Sequence, residues 1–349
     1  MTTGLLDILI QDQQNALPRF KPGTYWEQKS WAALRSLRTY GIDDFRSSTG
    51  DNVAALSLGG VDLTDVRLTY GRSLASRVAI RTIQFSAFWK IFDSQVALTR
   101  SILKEKQKYE RTLFKYICPE RLEYLLDKYS VERSINFGCT AITEYSGIEY
   151  STHYLSLADQ LAHVDNVVNI QSSNKFLEIG AGFGANVHLI EQNIPSIRKY
   201  LIVDIVPTVY LASEYIRSLS GSSVTDYLDT RSLQSITFRD DNSLEIIVIP
   251  PWQLSLVQES IDIFWNANSF VEMSEEVINM YSTNIFRLSN PDTKYAFMSY
   301  DKYNPTSVLD PYLIPRWFSF AEYNVSRCMH LFDQERSNTF FLGGIGDSR

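Results

Sequence analysis

The chain has 349 residues, a length that fits two domains better than one or three. Hydrophobic residues make up 44% and charged residues 21%, which is typical of a globular protein and excludes a disordered or repeat-built chain. A net charge of -7 argues against a nucleic-acid-binding protein, because neutralising phosphates needs an electropositive face. We therefore expect no nucleic-acid partner.

The first residues, MTTGLLDILIQDQQ, contain one short apolar stretch that Asp7 interrupts. This pattern fits neither a secretory signal nor a membrane span, so we expect a cytoplasmic location. Cys118, Cys139 and Cys328 are too scattered for a disulfide framework or a Cys-x-x-Cys zinc site, and we interpret them as buried thiols. Since no other group of side chains has metal-ligand spacing, no metal is expected.

Residues 1–149 are predicted to form a mostly helical region. Within residues 23–45, Trp26 and Trp31 lie on a predicted amphipathic helix, where core packing is the simpler interpretation. Between residues 68 and 129, apolar side chains recur at helical spacing among many Arg and Lys residues. Those basic residues fit solvated helix faces, or alternatively a docking face for an anionic acceptor. We expect the whole region to act as a lid that shapes acceptor choice.

From about residue 150 the pattern changes to short apolar runs that alternate with helical stretches. The runs are FLEI from Phe176, YLIVDI from Tyr200, EIIVI from Glu245, IDIFW from Ile261 and KYAFMSY from Lys294. This rhythm predicts an α/β fold, with a Rossmann-like parallel sheet covered by helices on both faces, over residues 150–349. Ligands of such sheets bind outside the carboxyl ends of the strands, where the strand order reverses.

A glycine-rich loop follows the first of these strands. Gly180, Gly182 and Gly184 leave the backbone bare, so a ligand can approach it closely. The stretch also satisfies the dinucleotide pattern Gly-x-Gly-x-x-Gly/Ala, so an NAD(P)-dependent oxidoreductase has to be considered. Glu178, two residues before the first glycine, and the position of the loop halfway along the chain favour S-adenosylmethionine instead. A turn that binds nothing is the remaining alternative.

Two further strand ends provide candidate cofactor contacts. Asp204 ends the second strand, and its carboxylate can accept both hydroxyl groups of a ribose. Capping of the following helix is the alternative for Asp204. After the third strand, Pro251 ends the ladder and Trp252 offers a flat face for adenine, although a core position for Trp252 is equally consistent with the sequence.

The exit of the fourth strand is unusually polar. Asn266, Asn268, Ser269 and Glu272 follow one another without a proline or glycine, and all are predicted to lie at the carboxyl edge of the sheet. Turn formation and capping are the alternatives for the two asparagines.

These segments resemble, in order and spacing, the class I S-adenosylmethionine-dependent methyltransferases, and in particular the bacterial sugar O-methyltransferases of polysaccharide and secondary-metabolite clusters. The resemblance covers roughly residues 145 to 305. The fourth strand of that family typically ends in Asn-x-x-Ser-x-x-Glu-Met, and NANSFVEM from Asn266 matches this pattern. The resemblance implies that S-adenosylmethionine is the cofactor and that the acceptor is a small molecule or glycan. The expected cofactor contacts are Glu178, Gly180, Gly182, Gly184, Asp204, Pro251, Trp252 and Asn266, and the expected acceptor contacts are Asn268 and Ser269.

A sugar hydroxyl is a poor nucleophile and benefits from a general base. Glu272 is the first candidate, because it follows the fourth strand beside the expected methyl position, and His153 is the second. A lone histidine more often serves packing, and His188 is expected to be structural. Alternative functions are methylation of nitrogen or oxygen in a peptide or aromatic natural product, nicotinamide-dependent oxidoreduction, and non-catalytic cofactor binding. A homo-oligomer is possible.

Overall fold

The computed structural model describes residues 3–23, 26–27, 30–31, 33–34, 37–38, 41–43, 45–46, 119–131, 134–139, 142–300, 310–318, 320–331 and 333–345. The chain divides into two compact units. The first comprises Met1–Glu27, Glu123–Ser130 and Ser156–Arg349, and the second comprises Gln28–Leu122 and Val131–Leu155. Most of the predicted helical stretch before residue 119, with Cys118, lies outside the described residues. The role of residues 1–149 as an acceptor-shaping lid stays a prediction.

The described helices and strands are numbered in chain order. The helices are α1 (Thr3–Asn15), α2 (Pro119–Lys128), α3 (Thr152–Val168), α4 (Ala185–Asn193), α5 (Thr208–Ser220), α6 (Tyr227–Thr230), α7 (Glu275–Leu288) and α8 (Ile314–Trp317). The strands are β1 (Ile142–Tyr145), β2 (Ile148–Ser151), β3 (Lys175–Ile179), β4 (Lys199–Val203), β5 (Val224–Thr225), β6 (Glu245–Ile249), β7 (Ile261–Ala267), β8 (Ser289–Tyr300), β9 (Phe320–His330) and β10 (Asp333–Ile345).

The first unit is built on an eight-stranded sheet with the order β5-β6-β4-β3-β7-β8-β10-β9. Strands β3 to β8 pair in parallel, whereas β10 is antiparallel to both β8 and β9. The strands β4 and β6 are buried along their whole length, which explains their continuous apolar sequences. A sheet of this order, in which β10 alone runs opposite to the other strands, is the class I methyltransferase arrangement, so the predicted fold class is confirmed.

The direction of strand addition reverses between β3 and β7, which lie side by side in the centre of the sheet. This reversal places the exits of β3 and β7 next to each other at the carboxyl edge, which is the usual ligand crevice of such sheets.

An aromatic core anchors the exit of β7. Phe270 lies in a short 3-10 helix, Ser269–Glu272, that follows β7. Its ring stacks on Phe318, with 5.7 Å between the ring centroids, and lies 5.9 Å from Phe264 and 5.8 Å from Tyr281. Because Phe270 is fully buried, the polar residues on either side of it, Ser269 and Glu272, have a fixed backbone.

In the second unit, β1 and β2 form an antiparallel hairpin. The buried guanidinium of Arg46 donates hydrogen bonds to the carbonyl oxygen of Ser134 at 2.6 Å, to Oδ1 of Asn136 at 2.5 Å and to Oγ of Ser151 at 3.1 Å. This charge-assisted network ties three parts of the unit together.

Two sequence interpretations change with the structure. The indole of Trp31 is 59% exposed, so the prediction that Trp31 packs in a core is wrong. Cys139 is buried as expected, whereas Cys328 is only half-buried. Among the described helices, none has both the length and the apolar character that crossing a membrane requires.

Candidate functional site

The three glycines of the loop after β3 all adopt left-handed backbone conformations. The φ angles of Gly180, Gly182 and Gly184 are 77°, 60° and 87°. A Cβ atom on Gly180 would lie 2.2 Å from Oγ of Ser269, and one on Gly184 would lie 2.5 Å from Cδ1 of Ile216. The backbone therefore favours glycine at all three positions, and close packing requires it at Gly180 and Gly184. The sequence interpretation attributed all three glycines to a ligand and missed this packing requirement.

Asp204 holds this loop from the end of the neighbouring strand β4. Its Oδ2 accepts a hydrogen bond from the backbone amide of Gly182 at 2.8 Å, and its Oδ1 accepts one from the amide of Ile205 at 2.7 Å. Burial raises the pKa of Asp204 to about 7, the two amides oppose this rise, and the negative charge of Glu272 adds to it. The N-cap position of α5 is occupied by Pro207, so Asp204 does not cap that helix.

Glu178 is a buried carboxyl group directly below the loop. Its Oε1 accepts a hydrogen bond from Nδ2 of Asn186 at 3.2 Å. Within the described part of the chain, Oε2 of Glu178 and Oδ1 of Asn186 are buried and have no hydrogen-bond partner. Burial raises the pKa of Glu178 to about 8, while the hydrogen bond from Asn186 lowers it and the charge of Asp204 raises it. Sequence reasoning did not single out Asn186, which lies in the first turn of α4.

Asn266 joins the ends of the two central strands. Its Nδ2 donates hydrogen bonds to the carbonyl oxygen of Ile179 at 2.8 Å and to Oγ of Ser269 at 2.5 Å, and its Oδ1 accepts one from the amide of Phe270 at 3.3 Å. The Ser269 hydroxyl donates to the same carbonyl oxygen of Ile179 at 3.2 Å. These bonds give both side chains a structural role, and their predicted contacts with cofactor and acceptor stay predictions.

Asn268 is the adjacent polar residue at the exit of β7. It has a left-handed backbone with a φ of 66°, and its backbone N–H donates to the carbonyl oxygen of Met298 at 2.8 Å. Asparagine tolerates this conformation better than most residues. Its Oδ1 is buried and finds no hydrogen-bond donor in the described ranges, so the predicted acceptor contact remains chemically reasonable.

Glu272 receives a hydrogen bond from a residue near the start of the chain. Nε1 of Trp26 donates to Oε2 of Glu272 at 2.7 Å, across 246 residues of sequence. Trp26 is half-buried and belongs to the same compact unit as Glu272. The sequence interpretation of Trp26 as a core residue missed this polar contact.

Trp252 lies in the 3-10 helix Pro251–Leu256, directly after β6. Its Nε1 donates to Oη of Tyr227 at 3.2 Å, and the two rings meet edge to face with 5.8 Å between their centroids. Trp252 is half-buried, whereas Pro251 is buried. Trp252 is therefore held by Tyr227 at the carboxyl edge of the sheet and is not a fully buried core residue.

The two histidines singled out from the sequence lie in different settings. His153 is on α3 and belongs to the second unit, where its ring meets that of Tyr154 edge to face at 6.2 Å. His188 is buried on α4 against the ring of Tyr215 and hydrogen-bonds to Gln192, as expected for a structural residue.

The residues from Glu178 to Glu272 that form the candidate site all belong to the first unit. Among the described residues, no group of three or more His, Cys, Asp or Glu side chains could hold a metal ion.

Comparisons with known proteins concern the fold. No family model matches the sequence, and no curated protein matches it at a significant level. A 1,6-didemethyltoxoflavin-N1-methyltransferase from Burkholderia thailandensis, solved with S-adenosylhomocysteine, is 14% identical, with 55% of this chain and 79% of that chain covered and a TM-score of 0.39.

Two other solved structures are similarly distant. An S-adenosylmethionine-dependent methyltransferase from Clostridium acetobutylicum is 8% identical, with 55% and 92% covered and a TM-score of 0.38. TehB from Haemophilus influenzae is 13% identical, with 52% of this chain and 61% of that chain covered and a TM-score of 0.35. None of these findings bears on the sugar O-methyltransferase family, which stays a prediction.

Proposed function

We propose that this protein is an S-adenosylmethionine-dependent methyltransferase whose cofactor site lies at the carboxyl ends of β3, β4 and β7. The observation that carries the proposal is the glycine loop at the reversal point of the sheet, with three left-handed glycines and with the amide of Gly182 held by Asp204. A loop without side chains at this position lets a ligand approach the backbone closely.

The buried polar atoms near the loop fit the amino-acid end of S-adenosylmethionine. Oε2 of Glu178 and Oδ1 of Asn186 are buried acceptors that lack donors among the described residues, and leaving such groups unsatisfied is costly. An ammonium group provides three donors. We therefore assign Glu178 and Asn186 to the cofactor ammonium group, Asp204 to the ribose hydroxyls, and Pro251 with Trp252 to adenine.

The charges in the crevice support this cofactor over a nicotinamide dinucleotide. Glu178, Asp204 and Glu272 are close enough for the charge of Asp204 to affect Glu178 and for the charge of Glu272 to affect Asp204. A dinucleotide would add a pyrophosphate anion beside these carboxyl groups, whereas S-adenosylmethionine carries a sulfonium and an ammonium group. Burial raises the pKa of Glu178 and of Asp204, and a cationic group bound beside them would favour their ionised form, whereas a pyrophosphate would oppose it.

The proposed reaction transfers a methyl group to an acceptor hydroxyl. The bound cofactor supplies the methyl group on a sulfonium, and the chain must hold the hydroxyl in line with it. We assign to Glu272 the removal of the hydroxyl proton, with His153 as the second candidate. Asn268, with its buried Oδ1, and Ser269 are the proposed acceptor contacts. The sequence pattern at the end of β7, from Asn266 to Met273, resembles that of the sugar O-methyltransferases and supports a sugar as the acceptor.

A labelled methyl-transfer screen tests the proposed function. S-adenosylmethionine with a deuterated methyl group would be incubated with separate panels of monosaccharides, short peptides and aromatic phenols or amines, and products would be read by mass spectrometry. We expect label on a sugar hydroxyl. Label confined to a peptide or an aromatic compound would replace the sugar by that acceptor class. A protein that binds S-adenosylhomocysteine but methylates nothing in any panel would favour a non-catalytic cofactor-binding role.

A further inference from the structure

Glu272 is held by a tryptophan from the start of the chain, and this contact suggests a function for the N-terminal segment. Resting on the proposed function, we infer that Trp26 is a positioning residue for Glu272. The indole N–H fixes the carboxylate of Glu272 in the orientation needed to take a proton from the acceptor. Trp26 is therefore part of the reaction site, although the glycine loop lies more than 150 residues further along the chain.

The N-terminal segment is hydrogen-bonded to the loop that follows β4 and to the short helix α6 that follows β5. Oε1 of Gln13 accepts a hydrogen bond at 3.1 Å from the amide of Val206, which lies two residues after Asp204. Asp12 accepts hydrogen bonds from Nε of Arg231 at 2.6 Å and from Oη of Tyr227 at 2.8 Å. Tyr227 in turn holds Trp252, so α1 is linked to two of the proposed cofactor contacts.

The same segment then continues to the exit of β7. The 3-10 helix Pro18–Phe20 packs on α7, the helix that begins three residues after Glu272. The amide of Glu27, the residue after Trp26, donates to the carbonyl oxygen of Gly23 at 2.8 Å. The described part of this segment thus contacts the Asp204 side of the crevice through Gln13 and the Glu272 side through Trp26.

The chemistry of the pair suits positioning. The side chain of Glu272 has three rotatable bonds, and rotation about them changes the orientation of its carboxylate. A rigid, half-buried indole that donates one hydrogen bond to Oε2 opposes that rotation. A phenylalanine at position 26 would keep most of the packing and lose only the donor.

Indole N–H resonances give a test that needs no acceptor. The chain has six tryptophans, and Trp26→Phe identifies the resonance of Trp26 in a ¹⁵N-labelled sample. We expect this resonance to shift in Glu272→Gln while those of the other tryptophans stay in place. It should keep the parent position when S-adenosylhomocysteine saturates the protein, because a positioning contact has to persist beside the cofactor. The proposal is wrong if the chemical shift of the Trp26 indole N–H is the same in the parent and in Glu272→Gln. It is also wrong if binding of S-adenosylhomocysteine moves this resonance in the parent to the chemical shift that it has in Glu272→Gln.

Turnover separates positioning from a merely structural role. On the first monosaccharide that the parent methylates, Trp26→Phe should lower kcat by about 10–100-fold, the effect of a base displaced by about 1 Å, with the KM for S-adenosylmethionine nearly unchanged. Adding Trp26→Phe to the Glu272→Gln variant should cause no further loss of kcat, because that variant has no general base to orient. Trp31→Phe, at an exposed indole, is the matched control and should leave kcat unchanged.

The experiments distinguish failure of the proposed methyltransferase function from failure of the positioning role of Trp26. If the parent binds no S-adenosylhomocysteine, the proposed function fails and the positioning role fails with it, even if the Trp26 resonance responds to Glu272→Gln. If Glu272→Gln abolishes turnover while Trp26→Phe changes nothing, or if the two substitutions multiply in their effects, the proposed function stands and the positioning role is wrong.

Discussion

The carboxylate of Asp204 and the backbone amide of Gly182 are hydrogen-bonded, with Oδ2 and the amide nitrogen 2.8 Å apart. This bond crosses from the end of β4 to the loop that follows β3, so the two strand ends that are proposed to hold the cofactor are already fixed relative to each other. Preorganised contacts of this kind reduce the conformational entropy that the protein loses when a ligand binds.

Gly182→Val should abolish binding of S-adenosylhomocysteine, because a β-branched side chain would occupy the proposed ligand space. Gly221→Val is a close control, since Gly221 also has a φ of 60° and has open space around its Cα. We expect both variants to be less stable without ligand by similar amounts. Only Gly182→Val should lose the rise in Tm that S-adenosylhomocysteine causes. An equal rise in both variants would show that the loop does not contact the cofactor.

Asp204→Ala should weaken the binding of S-adenosylhomocysteine by about 1.5–3 kcal/mol, the range for hydrogen bonds to a charged group. Asp262→Ala is a matched control at the opposite edge of the sheet, where Oδ2 of Asp262 accepts hydrogen bonds from the amides of Asn174 and Lys175. The control should reduce stability and leave affinity unchanged. A 2′,3′-dideoxyribose analogue that binds as tightly as S-adenosylhomocysteine would contradict the ribose role of Asp204.

Glu178→Gln should change how stability depends on pH. The pKa of Glu178 is raised from about 4.5 in the unfolded chain to about 8 in the folded protein, so the folded protein holds a proton that the unfolded chain has already released. The parent therefore loses stability through Glu178 as the pH rises from about 4.5 to 8. Glutamine can accept the same hydrogen bond from Asn186 and cannot ionise.

The measurement is Tm against pH for the parent, Glu178→Gln and a control, Glu275→Gln, at an exposed position of α7. The Tm advantage of Glu178→Gln over the parent should grow between pH 5 and pH 8. Curves that stay parallel over this interval would mean that Glu178 is ionised in the folded protein throughout.

Glu272→Gln should lower turnover by about 10²–10⁴-fold, the usual contribution of a general base, because glutamine keeps the size of the side chain and cannot accept a proton. Affinity for S-adenosylhomocysteine should barely change. Glu276→Gln, exposed in the first turn of α7, is the control. If turnover instead falls only in His153→Ala, the base is His153.

The parallel sheet was predictable because its strands are short apolar runs with helical stretches between them. FLEI, YLIV and EIIVI are buried on both faces, and such runs have few other stable locations in a globular fold. The hairpin of β9 and β10 was not predicted. Its residues Tyr323, Asn324 and Val325 are exposed in succession, so the alternation that marks a one-sided strand is missing there.

The positions of Asp204 and Asn266 at the carboxyl edge of the sheet were predictable, because Asp204 directly follows β4 and Asn266 lies near the end of β7. Contacts made by residues far apart in sequence were not. Nothing in the spacing of Trp26 and Glu272 indicates that they meet, and Asn186 belongs to no pattern that marks it as the partner of Glu178. Gly180 is too close to Ser269 to carry a Cβ atom, and sequence alone does not give the distance between these two residues.

The cofactor is the central claim, and calorimetric titration of the protein with S-adenosylhomocysteine and, separately, with NAD⁺ tests it most directly. We expect saturable binding of S-adenosylhomocysteine that disappears in Gly182→Val, and no comparable heat with NAD⁺. Saturable binding of NAD⁺ that requires Gly182, together with no binding of S-adenosylhomocysteine, would contradict the proposed function and favour a nicotinamide-dependent oxidoreductase.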